Sequence, residues 1–266
     1  MGSNNDYLGD LEMEKKLRFA VKFAVLCLLV AFTPTVLGSL IVYDDGKNHT
    51  ISEYSYDVIE VKDSQSGTPT TVNLVYGGEV SSVNVYGNSS VNLSGGVVHN
   101  SLNGFEESLI SISNGSVNYL MTIRDNSEFD FSGGFLDNLE LMGMAHATMS
   151  GGEIWSYLQS GGSSNIMISG GTVRAGNGGV SSIRAQFNSR ITVDGSDFNY
   201  PLGSIAATSG VLACELKNGG GLNNNFEIDS GASIILVPEP NTLIMFGFGI
   251  ILLKRKSNLE AFKCEV

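Results

Sequence analysis

A glycine-bearing segment returns along the chain at nearly constant intervals: "NLVYGGEV", "VNLSGGVV", "ISISNGSV", "FDFSGGFL", "ATMSGGEI", "IMISGGTV" and "ITVDGSDF". Marking the residue before each Gly-Gly-like pair gives Tyr76, Ser94, Ser113, Ser132, Ser150, Ser169 and Asp194, spaced by 18, 19, 19, 18, 19 and 25 residues. The last, longer interval contains "AGNGG". A fixed period means that each unit adopts the conformation of the one before and buries its apolar side against it. One position before the marks stand Val75, Leu93, Ile112, Phe131, Met149, Ile168 and Val193, all apolar. Three before stand Asn73, Val91, Ile110, Phe129, Ala147, Ile166 and Ile191, apolar but for the first. Between them lie Leu74, Asn92, Ser111, Asp130, Thr148, Met167 and Thr192, mostly polar. Four after the marks come Val80, Val98, Val117, Leu136, Ile154, Val173 and Phe198.

Alternation of this kind is a strand with one buried face. The Gly pairs, with Asn114-Gly115 in one unit, supply the backbone freedom of a tight corner. A second short apolar strand is expected about seven residues after the mark, at Val83, Leu120, Leu139 and Tyr157. Strand, glycine corner, strand and polar corner in each period make an all-β chain. It resembles a single-stranded parallel β-helix, a solenoid of 18–19-residue coils. Six steps of ~4.8 Å give a stack of roughly 29 Å. An antiparallel sandwich would need no matched columns at four offsets. The coils are similar in architecture to those of autotransporter passengers and other secreted bacterial adhesins. The repeats occupy 71–204, with an N-terminal cap over 39–70 and a C-terminal cap or linker over 205–236.

Both ends read as addresses. From Met13 the chain runs "MEKKLRFAVKFAVLCLLVAFTPTVLGS", a basic stretch (Lys15, Lys16, Arg18, Lys22), an apolar run from Phe23 to Phe32, then Pro34. This predicts a signal peptide over 1–38, helical in its apolar part, with signal peptidase cutting between Gly38 and Ser39. Residues 1–12, "MGSNNDYLGDLE", fit no basic n-region, so either Met1 or Met13 is the start. The opening Met-Gly is not a myristoylation signal, because Asp6 stands where Ser or Thr is required. At the other end "VPEPNTLIMFGFGIILLKRK" spans 237–256, followed by a tail over 257–266. Its apolar run, Leu243 to Leu253, makes a helix of only ~16 Å against a hydrocarbon core of ~30 Å. It suits a transient stop in the inner membrane, oriented by Lys254, Arg255 and Lys256. The order Pro238-Glu239-Pro240, short apolar helix, basic cluster closely resembles the PEP-CTERM sorting signal of Gram-negative bacteria. That resemblance implies recognition by an exosortase and release to the cell surface or extracellular matrix.

The net charge of −12 excludes a nucleic-acid surface. Between the two addresses, over 39–237, seven cations face twenty carboxylates, a balance of −13. Cys27, Cys214 and Cys264 form no CxxC pair, and Cys214 alone would survive processing. His49, His99 and His146 are scattered without metal-ligand spacing, so no metal or cofactor is expected. "RDNSEFD" gathers Asp125, Glu128 and Asp130 beside Arg124, which read as a solvated strand edge, so no catalytic residue is assigned. β-Helical polysaccharide lyases and glycoside hydrolases display such acids, but glycoside cleavage needs paired carboxylates at a defined separation. "NGGGLNNNFEID" over 218–229 lacks both the calcium nonapeptide and Gly-Lys-Ser, and reads as a loop. The chain is therefore expected to be a non-catalytic surface or matrix protein, binding polysaccharide weakly or self-associating. A secreted carbohydrate-active enzyme is the alternative.

Overall fold

The computed structural model describes residues 38–174 and 182–239, and every regular element among them is a β-strand. The expected helices, at Phe23–Phe32 and Leu243–Leu253, lie outside the described residues, which exclude 1–37 and 240–266. The described chain winds through three parallel faces in turn, a β-solenoid of about seven turns with coils of ~19 residues. The first face stacks 48–51, 71–74, 90–93, 109–112, 128–131, 146–149, 165–168, 190–193 and 233–236. The second is short, running from 79–80 through 97–98, 116–117, 135–136 and 153–154 to 172–173. The third stacks 40–43, 58–61, 82–85, 101–104, 120–123, 139–141, 158–160, 183–185 and 226–228. Residues 40–61, expected to cap the first coil, thus lie in parallel register with it.

Equivalent side chains fall in columns because every coil pairs with the next over the same positions. On the first face Val91, Ile110, Phe129, Ala147, Ile166 and Ile191 form one buried column, and Leu93, Ile112, Phe131, Met149, Ile168 and Val193 a second. The second face adds Val80, Val98, Val117, Leu136, Ile154 and Val173, all buried. Each large aliphatic side chain taken out of water stabilises the stack by about 1.5–3 kcal/mol. Volume is balanced between neighbours: Phe129, stacked 5.9 Å from Phe131, pairs across the ladder with the small Ala147.

The register differs from the sequence alignment in three places. In the first repeat Leu74, not Val75, pairs with Leu93, so Val72 and Leu74 are buried and Asn73 faces out. Tyr76, the expected mark, is 91% exposed. One additional residue in the Val75–Gly78 corner restores the phase, and Val80 pairs with Val98 as expected. A corner can absorb a residue, whereas a slip inside a strand would turn every side chain to the wrong face. On the third face Leu120 and Tyr157 are outward and half-buried, while the adjacent Met121 and Leu158 point inward. Phe198 is outside the second-face column. The chain leaves the coil at Ser196, and the ladder on Gly171 and Thr172 is continued by Gly220 and Gly221.

The C-terminal end breaks the parallel rule. Ser209–Leu216 lies antiparallel to Gly220–Ile228, and Gly203–Ser204 antiparallel to Ser233–Pro238. Both strands cover what would otherwise be open edges of the last coil.

The corner between the first and second faces is where glycine is indispensable. A Cβ on Gly134 would stand 2.5 Å from the Gly115 carbonyl oxygen, and Gly134 has φ +96°. At Gly152, φ +79°, it would stand 2.3 Å from the buried Phe131 ring. Gly67 has a similar φ of +78° with nothing within 4 Å. Gly67→Ala should therefore cost only backbone strain, about 1–2 kcal/mol. Gly152→Ala should add an overpacking penalty of about 1–3 kcal/mol. Urea melts of the two variants measure the difference, and equal losses would contradict this packing.

Candidate functional site

A shallow depression of about 250 Å³ lies on the outer side of the first face. Its floor carries Glu128, Asp130, His146, Thr148, Asn165 and Thr192, with Met167. The strands explain the assembly. Glu128 pairs with His146, His146 with Asn165, and Asn165 with Arg190. These four form one outward row, and Asp130, Thr148, Met167 and Thr192 form the next. The Thr148 hydroxyl donates to Asp130 Oδ1.

The acidic group read from "RDNSEFD" is thereby divided. Glu128 and Asp130 lie two apart on one strand and project in the same direction, about 7 Å apart at the backbone. Asp125 is in the preceding corner at φ 57°, and its Oδ2 accepts from the Glu106 backbone N–H at 3.1 Å. Arg124 is exposed beside it, outside the depression. Two carboxylates side by side on an open wall can accept hydrogen bonds from hydroxyls. His146 joins this row although it looked isolated in sequence. Its signal was positional, since Glu128, His146 and Asn165 each stand four residues before a mark. The other two histidines have local partners: His49 Nε2 lies 2.8 Å from Asp45 and His99 Nε2 lies 2.9 Å from Glu79.

Elsewhere the outward polar rows bond to themselves. Thr71 and Ser90 hydroxyls meet at 2.8 Å, Asn92 Nδ2 donates to Asn73 Oδ1 at 3.0 Å, and Asn103 Nδ2 donates to Asn84 Oδ1 at 2.9 Å. A further polar column is internal and was not visible as such in sequence. Thr70, Ser89, Ser108, Ser127, Ser164 and Ser189 are buried at the corner entering the first face. Ser108 donates to Ser127 at 3.0 Å, and Ser189 donates to the Ser160 carbonyl at 2.8 Å. Five of the six stand five residues before a mark, an offset the apolar alignment passes over.

The same corner holds left-handed residues in register, among them Gly87, Glu106, Asp125 and Gly143. Carboxylates from neighbouring coils satisfy their amides: Glu106 Oε2 accepts from Gly87 N at 2.8 Å. Asp63 accepts from Asn88 N at 3.1 Å and from the Ser89 hydroxyl at 2.7 Å. Among the described residues no group of His, Cys, Asp and Glu is arranged to hold a metal ion. Cys214 is buried, and burial, against a bond from the Leu222 backbone, pushes its thiol up to about 11.

The address residues are partly described. Ser39 begins the first coil, its N and Oγ donating to Asp57 Oδ1 at 2.8 and 2.6 Å. Pro238 ends the last strand, opposite Gly195, and Glu239 N donates to Gly195 O at 3.2 Å. Pro240, Lys254, Arg255 and Lys256 lie outside the described residues. No protein-family model, curated protein or solved structure matches the chain.

The Asp63 contacts predict an acid-sensitive corner. Burial pushes its carboxyl up, but the bonds from the Asn88 backbone, the Ser89 hydroxyl and the Asn88 amide outweigh burial and hold it below the usual range. A depressed carboxyl stabilises the fold above its unfolded value of about 3.9, and this is lost as pH falls through the lower folded value. Thermal melts between about pH 6 and 2.5 should show a shallower acid limb in Asp63→Asn. An unchanged limb would remove Asp63 from the account.

Proposed function

We propose that this chain is an exported structural or adhesive protein of the cell surface or extracellular matrix, sorted through its PEP-CTERM-like segment. Its solenoid meets polysaccharide through many weak contacts and does not turn it over. One observation carries the polysaccharide part. Outward Ser, Thr and Asn side chains recur coil after coil at the strand pitch, in rows held straight by their own hydrogen bonds. A sugar polymer laid along such rows meets the same donor and acceptor pattern repeatedly. Each bond is weak because water competes for it, so affinity rests on their number. Self-association of copies in the matrix would use the same rows.

The export reading draws support from where the addresses meet the body. Ser39 starts the first strand region and Pro238 closes the last strand, so signal peptidase and exosortase would remove both ends and leave every coil intact. Mass analysis of exported protein should find a C-terminus at or just beyond Glu239, and intact "AFKCEV" tails outside the cell would contradict it. Replacing Lys254, Arg255 and Lys256 by Ser should impair sorting.

Cleavage at Gly38–Ser39 would also turn the amide nitrogen facing Asp57 into an ammonium. The Ser39 hydroxyl, then Ser55 and the Ser39 N–H, already hold the Asp57 carboxyl below its usual value. The new pair would stabilise the first coil above Asp57's lowered value, and this would be lost as pH rises through an ammonium value lifted above about 8. Protein beginning at Ser39 should show a basic limb in its melting profile that vanishes on N-acetylation or in Asp57→Asn.

The depression at Glu128, Asp130 and His146 favours the enzyme alternative, a β-helical polysaccharide lyase or glycoside hydrolase. Reducing-end and unsaturated-product assays should stay at background. Product that disappears in Asp130→Asn or Glu128→Gln would establish the enzyme instead.

A further inference from the structure

We infer that the outer wall around Trp155 is a stacking platform for the apolar face of a neutral pyranose, the place where a polysaccharide chain is gripped. The inference rests on the polysaccharide reading above and narrows it to one patch. Trp155 is the chain's single tryptophan and is 51% exposed, on the outward side of His146–Ser160. The inward side of that strand is already filled by Ile154 and Leu158, so the indole contributes nothing to the interior. It is nevertheless held in place. The Phe135 ring meets it at 5.7 Å and 68°, and the Arg174 guanidinium lies over it, 5.9 Å from the ring centroid. Arg174 is itself fixed by an ion pair with Glu153. A ring already immobilised loses little further freedom when a ligand settles on it.

The surroundings select the ligand. Beside the indole stand hydrogen-bonding pairs: Glu153 with Arg174, Ser156 donating to Asp137 at 2.9 Å, and the Tyr157 hydroxyl donating to Glu140 at 2.6 Å. A purely apolar partner would strip water from these groups and return nothing. A pyranose offers a C–H face to the indole and a rim of hydroxyls to the polar groups. Glu153 is paired with Arg174, while Asp137 and Glu140 accept from the Ser156 and Tyr157 hydroxyls and add net negative charge, so an acidic polymer is repelled and a neutral one is not.

The single tryptophan makes the test direct, because emission excited selectively at the indole, beyond the absorption of the nine tyrosines, reports this patch alone. The full chain is titrated with hydroxyethyl cellulose as neutral polymer and polygalacturonate as acidic comparator. Binding is measured in parallel by retardation in native gels containing each polymer. The expected result is retardation by the neutral polymer with a saturable change in emission. Trp155→Ala should weaken retardation about tenfold at unchanged melting temperature, with Trp155→Phe intermediate. Retardation with silent emission, equal in Trp155→Ala, overturns the platform and leaves the polysaccharide reading standing. No retardation of the wild-type chain overturns both. Tighter binding of polygalacturonate at low salt overturns the choice of a neutral sugar. The emission measurement needs no variant, so a Trp155→Ala chain that fails to fold does not shield the inference.

Discussion

At the corner between the first and second faces, the carbonyl of one coil stands where the next coil would carry a Cβ. Strand pairing sets the rise between coils at ~4.8 Å, and the chain must turn within that rise without touching its neighbour. Only a residue without a side chain passes there, which is why Gly115, Gly134 and Gly171 recur, with Gly152 kept bare by the Phe131 ring instead. The tight corner keeps each coil narrow, and the narrow coil leaves room for a core only as wide as the inward columns. Because backbone pairing stacks like on like, a residue's neighbours are largely its own counterparts in adjacent coils. Phe129 therefore has to be matched by Ala147, and Phe131 by the space above Gly152.

Most of the solenoid was legible in the sequence because two physical periods coincide in it. The two-residue alternation of a half-buried strand appears at Ile110 and Ile112 or Ile166 and Ile168, and the coil period repeats it. Legibility failed where a corner absorbed an irregularity. The tract Val72–Val75 holds apolar residues at three of four positions, so alternation alone could not choose between two registers, and the Tyr76 corner hid the difference. The third face was harder because its inward side includes Gly104, Ser160 and Ala185, which carry no hydrophobic signal. The antiparallel strands at the C-terminal end belong to no repeat. Of the candidate depression, Glu128 and Asp130 could be named from one segment, whereas His146 and Asn165 required the coils to be stacked first. Trp155 stood out only once its strand face was known.

The walls show two kinds of polar chemistry. Around Asn73 and Asn92, or Asn84 and Asn103, side-chain bonding capacity is shared along the row, which stiffens the wall and leaves part of each amide for solvent or ligand. Around Trp155 and in the depression near Glu128, charged groups and an aromatic ring interrupt the rows. A long polymer lying on such a body would slide along the uniform rows and be held where they are interrupted. That combination suits a scaffold that must grip a network at intervals along its length.

The last strand of the solenoid is also the strand that leads out of it. Residues 233–238 are hydrogen-bonded along one edge to 190–195, while Gly203–Ser204 grips the other edge at Ile235 and Leu236. The chain then continues from Pro238 with no intervening loop before Glu239. Tension applied through the C-terminal segment would reach this strand at its exit end and open its bonds one after another. The Glu239–Gly195 bond would be met first, and the Gly203–Ser204 clamp only after it. Under pull from that end the terminal strand would be given up first, while the columns beneath kept their registry.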